Sequence, residues 1–211
     1  RSYVGYNLGA DGSVTVSGAT TLRVFGTESN DTIGVATVTG TVTHTLSSGQ
    51  TRVPILRTGI NALVIDALAG DDTINVAASH PYAGGVTVNG GSPSASDTLV
   101  ILGADGVAEN FEVRSTLPGT GNVMELVSAS TVNFTGIEHV QVNSGDVAGG
   151  DGDTLTVFDT FGDDDLLLTS GNNGDLVTGS TITPVEAVNL FATLTVDMTG
   201  SFGDVVNVDA S

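Results

Sequence analysis

Short runs in which apolar and polar residues alternate recur along the whole chain. In the clearest one, the apolar residues 63–65 are followed by an acidic, glycine-containing loop at residues 66–72 and by a second run at residues 73–76. Alternation with a period of two, bounded by Gly, Asn and Asp, is typical of strands with one buried face. Residues 183–186, Thr-Pro-Val-Glu, resemble a helix start, but the alternation that follows them favours a turn and a strand. The pattern therefore predicts an all-β protein.

Two short motifs recur in the same order and predict an internal repeat. The first, Ser/Thr–Gly/Pro–apolar–x–x–apolar–x–apolar, has spacings of 41, 77 and 48 residues and begins at Ser17, Thr58, Thr135 and Thr183. The second, Asp-Thr followed by Ile or Leu, begins at Asp31, Asp72, Asp97 and Asp153. With an abbreviated copy included, the repeats start near residues 17, 58, 85, 135 and 183.

Short strands at irregular spacing with Gly, Asn and Asp corners are typical of a parallel β-helix, or β-solenoid. We therefore predict that residues 1–211 form a single elongated β-solenoid module, with residues 1–16 as a lead-in. Successive coils would stack about 4.8 Å apart around a narrow core of Val, Ile and Leu. An antiparallel β-sandwich is the alternative, because it explains the short strands although it does not explain the paired motifs.

The charge balance is strongly acidic and limits the partners of the chain. There are 24 Asp and Glu residues against five Arg and no Lys, giving a formal net charge of −19. Such a surface repels nucleic acid and attracts divalent cations, so we expect no nucleic-acid binding. Cysteine is absent, which excludes disulfides and thiolate metal sites. No apolar run reaches 18 residues, and we expect no membrane insertion.

Three glycine-containing corners carry closely spaced aspartates. They lie at residues 70–72, 149–153 and 162–166. Each resembles the Gly-Gly-x-Gly-x-Asp-x-apolar-x nonapeptide of the hemolysin-type (RTX) calcium-binding repeats, although the matches here are single and not tandem. The resemblance implies that Asp carboxylates and Gly carbonyls bind Ca²⁺, a cation that takes six to eight oxygen ligands. The predicted metal ligands are Asp151, Asp153, Asp163, Asp164, Asp165, Asp71 and Asp72. In the alternative interpretation, these aspartates accept hydrogen bonds within their own turns.

No catalytic arrangement is recognisable in the sequence. There is no Gly-x-Ser-x-Gly elbow and no P-loop, and His44, His80 and His139 are scattered, so we expect them to be solvated. We therefore predict no enzymatic activity and no catalytic residues.

The Thr/Asp/Gly-rich repeats are similar in amino-acid composition to the repeat regions of large bacterial extracellular and surface proteins. This resemblance implies a structural or adhesive module of an extracellular bacterial protein, such as a filament or surface-layer building block stabilised by calcium. Its partners would be copies of itself or neighbouring modules, stacked end to end at the cell surface. A passive spacer is a further interpretation. The competing class is a carbohydrate-binding or polysaccharide-cleaving β-helix protein, which would need an exposed aromatic or carboxylate groove.

Overall fold

The computed structural model describes residues 14–18, 20–92, 96–146, 151–160, 164–170, 174–189, 191–198 and 205–208. Within these ranges every regular element is a β-strand, which confirms the all-β prediction. Residues 1–13 of the predicted lead-in lie outside the described residues. The strands are β1 (Val14–Ser17), β2 (Thr21–Thr27), β3 (Asp31–Val35), β4 (Val42–Leu46), β5 (Ile55–Thr58), β6 (Ala62–Leu68), β7 (Thr73–Ala77), β8 (Val86–Gly91), β9 (Thr98–Leu102), β10 (Asn110–Leu117), β11 (Thr120–Glu125), β12 (Ser130–Thr135), β13 (His139–Asn143), β14 (Thr154–Phe158), β15 (Asp165–Ser170), β16 (Gly174–Gly179), β17 (Val185–Val188), β18 (Thr193–Asp197) and β19 (Val205–Val208).

The strands form two mixed sheets between which the chain crosses repeatedly. Sheet A has 11 strands in the order β1-β5-β4-β3-β7-β9-β13-β17-β16-β15-β19. Sheet B has 8 strands in the order β18-β14-β10-β11-β12-β8-β6-β2. Most neighbouring strands are parallel, and the antiparallel pairs are confined to β4, β11 and β16 and their neighbours within the described residues. A parallel pair needs a crossover connection, which the alternation between sheets provides.

Three antiparallel meanders interrupt this alternation. In β3–β4–β5, β10–β11–β12 and β15–β16–β17 the chain makes three consecutive strands within one sheet before it crosses to the other. The central strands β4, β11 and β16 are the ones that run against the parallel direction. The chain bends after β16 and passes through Pro184 before β17 begins. Residues 185–188 therefore form a strand, as the alternation predicts, and not a helix.

The first repeat spacing corresponds to a structural register. Ser17 pairs with Thr58 between β1 and β5, and Leu22 pairs with Leu63 between β2 and β6. The later copies of the motif occupy different positions, because Thr135 leads from sheet B into sheet A whereas Thr183 lies between two strands of sheet A. The motif therefore marks a turn before a strand but does not specify which sheet that strand joins.

The core consists of the inward-facing side chains of both sheets. In β7 and β13 buried and partly exposed positions alternate, as the sequence pattern predicts. Buried side chains from the two sheets form one hydrophobic cluster, in which Ile and Val predominate and Phe111 and Phe134 are among the largest members. No helix long and apolar enough to cross a membrane occurs in the described part of the chain.

Candidate metal centre

Three carboxylates converge at the corner between β13 and β14. Asp146 follows β13, whereas Asp151 and Asp153 lie directly before β14. Each of the three offers an oxygen, and these oxygens all lie within 4.8 Å of one another. Oxygens on opposite sides of a Ca²⁺ ion are about 4.6–5.2 Å apart, given Ca–O distances of 2.3–2.6 Å. The spacing therefore fits a divalent cation bound between the three side chains.

The local sequence folds this corner by turn chemistry. The Gly145 N–H donates to the Asn143 side-chain oxygen over 2.8 Å, and the Asp146 N–H donates to Ser144 Oγ over 3.4 Å. Gly145 has a φ of 82°, and a Cβ there would lie 2.7 Å from the carbonyl oxygen of Gly103. Glycine is thus required for both its backbone conformation and its close approach to the backbone of Gly103. These features position Asp146 close to Asp151 and Asp153.

Backbone hydrogen bonds fix the other side of the corner. The Asp151 N–H donates to Asp146 Oδ2 over 3.1 Å. The Glu109 N–H donates to Asp153 Oδ1 over 2.7 Å, and the Thr154 N–H donates to the Glu109 carbonyl over 3.0 Å. Because Glu109 immediately precedes β10, the paired neighbour of β14, Asp153 joins the candidate centre to the adjacent strand of sheet B.

Among the described residues, no hydrogen-bond donor reaches three buried carboxylate oxygens at this corner. They are both oxygens of Asp151 and Oδ2 of Asp153. Asp153 is 0% exposed and Asp146 is 4% exposed, so water contributes little to their solvation. A buried carboxylate without a donor is costly unless a proton or a cation compensates it. The unpartnered oxygens are the observation that distinguishes this corner from an ordinary acidic turn.

The electrostatics of the corner indicate excess negative charge. Burial raises the pKa of Asp153 to about 6, and the carboxylates of Asp151 and Asp146 act in the same direction, while the Glu109 N–H opposes the shift. Burial likewise raises the pKa of Glu109 to about 7, with further contributions from Asp153, Glu125 and Asp151. A bound cation would relieve this repulsion and favour the charged forms.

The other predicted ligands have separate positions. Asp164 is buried before β15, where its carboxylate accepts hydrogen bonds from the N–H and hydroxyl of Thr160 over 2.9 Å. Asp165 is exposed at the start of β15, and Asp163 lies outside the described residues. The bonds from Thr160 give Asp164 the role of a corner acceptor, as the alternative interpretation of the sequence expected. Calcium binding by Asp163, Asp164 or Asp165 stays a prediction.

Asp71 and Asp72 belong to a different arrangement, a ladder of acidic residues where neighbouring interior strands of sheet A begin. The Asp31 N–H donates to Asp72 Oδ1 over 2.7 Å, the Asp72 N–H to Asp97 Oδ1 over 2.8 Å, and the Asp97 N–H to Glu138 Oε2 over 2.8 Å. Each carboxylate thereby joins its strand to the preceding one, which gives the repeated Asp-Thr motif a structural role. Asp71 is exposed and accepts from the Ser96 hydroxyl over 2.5 Å. Metal binding by Asp71 and Asp72 also stays a prediction.

Within the described ranges, the group of three acidic or histidine ligands that meets the 4.8 Å spacing is Asp146, Asp151 and Asp153. The sequence identified Asp151 and Asp153 but missed Asp146 and the supporting Glu109. Asp146 lies in the same predicted loop, so its acidic character was a usable signal. Glu109 lies 44 residues from Asp153 and contacts it only through the pairing of β10 with β14. No feature of the local sequence around Glu109 indicates that contact.

The expectation that the histidines are solvated is wrong for two of the three. His44 is 1% exposed, and its Nε2 lies 3.0 Å from Asp31 Oδ1 at the end of the acidic ladder. His80 is also buried, next to the Tyr82 ring, and burial lowers its pKa. His139 is partly exposed, with Nε2 3.6 Å from Glu186 Oε2. The scattered spacing in the sequence does not show that strand pairing places His44 beside a buried acid.

Comparisons with protein-family models, with curated proteins and with solved structures found no match.

Proposed function

We propose that this chain is a structural repeat module, a β-solenoid stiffened by a divalent cation at the corner between β13 and β14. The observation that carries this proposal is the convergence of Asp146, Asp151 and Asp153, whose buried oxygens include three without a hydrogen-bond donor among the described residues. The possible metal ligands in this group are all carboxylate oxygens, which suit Ca²⁺ better than a softer transition metal.

The path of the chain supports the solenoid interpretation. Strands β6, β7, β8 and β9 alternate between the sheets, with β6 pairing in parallel with β8 and β7 pairing in parallel with β9. A solenoid of this kind transmits load along its axis through stacked coils. The antiparallel meanders would then be local excursions of the chain within one face of the solenoid.

A cation at this corner would stabilise the connection between three strands. The corner joins β13 of sheet A to β14 of sheet B, and Asp153 accepts the N–H of Glu109 before β10. Neutralising the acidic side chains removes their mutual repulsion and cross-links the two sides of the turn. The proposed role of the ion is therefore structural, because it would stiffen the stack of strands.

The proposed calcium site and the acidic surface support an extracellular setting for the module. We place the module outside the cell or at the cell surface, where sites with Ca²⁺ affinities of about 10⁻⁴–10⁻³ M are occupied. The net charge of −19 disfavours nucleic acid and favours association bridged by cations. Among the described strands, β19 lies at one edge of sheet A with Val206 and Val208 exposed, and such a strand edge favours stacking onto another copy or a neighbouring module. The module would therefore serve in adhesion or as a filament subunit.

Calcium titration of the metal-free protein tests this proposal. We expect heat of binding in calorimetry and a rise in the unfolding temperature, with a stabilisation of about 2.7 kcal/mol when calcium exceeds the dissociation constant about 100-fold. Asp151→Asn removes a carboxylate whose oxygens have no hydrogen-bond donor among the described residues, so it should abolish most of this stabilisation. Asp105→Asn, in an exposed turn, is the matched control and should respond like the wild type.

An unchanged unfolding temperature at saturating calcium, or an equal response of the Asp151 variant, would contradict the assigned site. Magnesium should stabilise less, because it requires near-octahedral geometry at shorter distances. Light scattering on the same samples tests self-association, which should increase with calcium. A calcium-independent monomer would contradict the filament role and leave the cation site to be judged by calorimetry.

A further inference from the structure

Both sheets run from N-terminal strands at one edge to C-terminal strands at the other. Sheet A ends in β1 and β19, and sheet B ends in β2 and β18. Among the described strands, each of these four pairs with a neighbour on one side only. We call β1 and β2 the N-terminal end of the molecule, and β18 and β19 its C-terminal end.

The hydrophobic core is incompletely covered at the C-terminal end. Directly paired residues of neighbouring strands face the same side of a sheet, so Val206 faces the core together with its partner Leu166. Leu166 is buried, whereas Val206 is 38% exposed. In sheet B, Leu194 is likewise only partly buried although its partner Leu155 is buried. Both end strands therefore offer apolar surface that an added strand would cover.

The edge of β18 lacks the usual protection against pairing. Natural sheets discourage the addition of a further strand with Lys, Pro, bulges or inward-pointing charges along the edge. β18 reads Thr-Leu-Thr-Val-Asp, and its one charged residue, Asp197, is the last of the strand. Asp197 pairs with Phe158, which faces outward. Neither sequence nor side-chain direction therefore blocks this edge.

The strand that β18 already binds resembles β2. β14 pairs with β18 in parallel, with Thr154 opposite Thr193. Residues 154–158 of β14 read Thr-Leu-Thr-Val-Phe, and residues 21–25 of β2 read Thr-Leu-Arg-Val-Phe. β2 of a second copy therefore offers the other edge of β18 the same alternation of apolar and polar residues in the same register.

Strand direction permits this addition by translation of the second copy. β11 is antiparallel to both of its neighbours, so β10 keeps the direction of β12, and the remaining pairs of sheet B are parallel. β2 and β18 therefore run in the same direction. In sheet A the reversals at β4 and β16 cancel in the same way, so β1 and β19 also share one direction.

The distribution of charge favours contact between unlike ends. Residues 1–60 carry four Arg and three acidic residues, whereas residues 151–211 carry 11 acidic residues and no Arg or Lys. Two C-terminal ends repel each other, and the N-terminal end lacks the excess of negative charge that would oppose its approach.

We propose that copies of this chain join head to tail, with β2 of one copy added in parallel to the free edge of β18 of another. The predicted register places Thr21 opposite Thr193, and the following residues pair in order through Phe25. β1 then lies beside β19 and covers its exposed valines. This inference rests on the proposed role as a stacking module and adds which ends meet and in which direction. The contact is heterologous, so each added copy leaves the same two ends free for further growth.

Cysteine cross-linking tests the direction of the join. The chain contains no Cys, so Thr21→Cys and Thr193→Cys each introduce a single thiol into the full chain. We expect the two variants, mixed in millimolar calcium with a short bifunctional thiol reagent, to give a dimer of one copy of each, because paired strands lie about 4.8 Å apart. Either variant alone should give none. Thr87→Cys, on the interior strand β8, is the matched control and should form no dimer with either variant.

A second pair of variants tests the apolar surface of the C-terminal end. Val208 lies on β19 and Val38 lies in the turn after β3, and both side chains are largely exposed, so lysine at either position leaves the core intact. Val208→Lys should weaken self-association at least about tenfold in sedimentation equilibrium, because the join would bury its charge. Val38→Lys should associate no more weakly than the wild type. The unfolding temperature of each variant shows whether it is folded.

The outcomes separate this inference from the proposed function. A dimer formed by the Thr193→Cys variant alone would show contact between like ends and would overturn the head-to-tail join. Self-association that gives no mixed cross-link and is unchanged by Val208→Lys would also overturn it, while leaving the role as a self-associating module in place. A monomer at every calcium concentration would contradict both the join and the filament role, and calorimetry would then judge the cation site separately.

Discussion

Replacing Asp72 by asparagine should change how the stability of the protein depends on pH. Asp72 lies inside the acidic ladder, where it is 1% exposed and its Oδ2 has no donor among the described residues. Burial raises its pKa from 3.8 to about 7, the Asp31 N–H opposes the shift, and the carboxylates of Asp97, Asp31 and Asp71 increase it. At the end of the ladder, His44 Nε2 lies 3.0 Å from Asp31 Oδ1.

The sign of the effect follows from proton linkage. Because the folded state keeps this proton to a higher pH than the unfolded chain, it binds more protons between about pH 4 and pH 7. Stability therefore falls as the pH rises through this window, and the loss is complete above pH 7. A shift of about three pKa units corresponds to an upper limit of about 4 kcal/mol. We expect at least about 1 kcal/mol after relaxation of the surroundings, the equivalent of one pKa unit.

Asp72→Asn removes the ionisation but keeps an oxygen that can accept the Asp31 N–H. The variant should be close to the wild type in stability at about pH 4 and more stable than the wild type at about pH 8. The assay is urea denaturation of metal-free protein across this range, with Asp105→Asn in an exposed turn as the control. Parallel pH profiles for the wild type and the Asp72 variant would refute the reasoning, because the buried carboxylate would then contribute nothing to the pH dependence.

Two further predictions test the packing of the fold. Gly90→Ala places a Cβ 1.8 Å from the Gly136 carbonyl oxygen, so it should cost about 3 kcal/mol or more by denaturation. Gly49→Ala meets open space and carries only the strain of a positive φ, about 1–2 kcal/mol, so an equal loss in both variants would disprove the close contact. Tyr82→Phe removes a buried hydrogen bond of 2.6 Å from the hydroxyl to the Gly40 carbonyl, which should cost about 1–2 kcal/mol. An unfolding temperature unchanged within about 1 °C would show that this bond contributes no net stability.

The strands and corners could be predicted because their signals are local. Alternation of apolar and polar residues locates β7 and β13, and an aspartate before Thr marks the corners that precede β3, β7 and β9. The spacing of 41 residues even predicts a true register, that of β2 against β6. The meanders could not be predicted, because alternation shows which side chains face inward but not whether the next strand stays in the same sheet.

In the candidate site, too, the local features could be predicted from the sequence whereas the contacts made by strand pairing could not. Asp151 and Asp153 belong to one glycine-rich corner, and that corner is visible in the sequence. The contact between Asp153 and Glu109 depends on the pairing of strands that are distant in sequence, and the burial of His44 beside Asp31 depends on the β3–β4 hairpin. Composition and spacing therefore identify acidic corners, whereas pairing determines which acids meet.

What separates a structural acidic corner from a candidate metal centre is the number of carboxylate oxygens that already have donors. Asp164 accepts from Thr160 through both oxygens, and Asp31 Oδ2 accepts the Thr27 N–H. In the ladder, Asp31, Asp72 and Asp97 each keep one oxygen without a donor, but they do not belong to a group of three ligands at the 4.8 Å spacing in the described residues. A proton satisfies such an oxygen at low pH, which is the origin of the pH dependence predicted above.

Within the described part of the chain, Asp151 and Asp153 together keep three oxygens without donors, and Asp146 adds a third carboxylate within reach. One proton cannot satisfy this set, whereas a single divalent cation can. The same Gly-Asp turn chemistry thus leads to different roles at different corners.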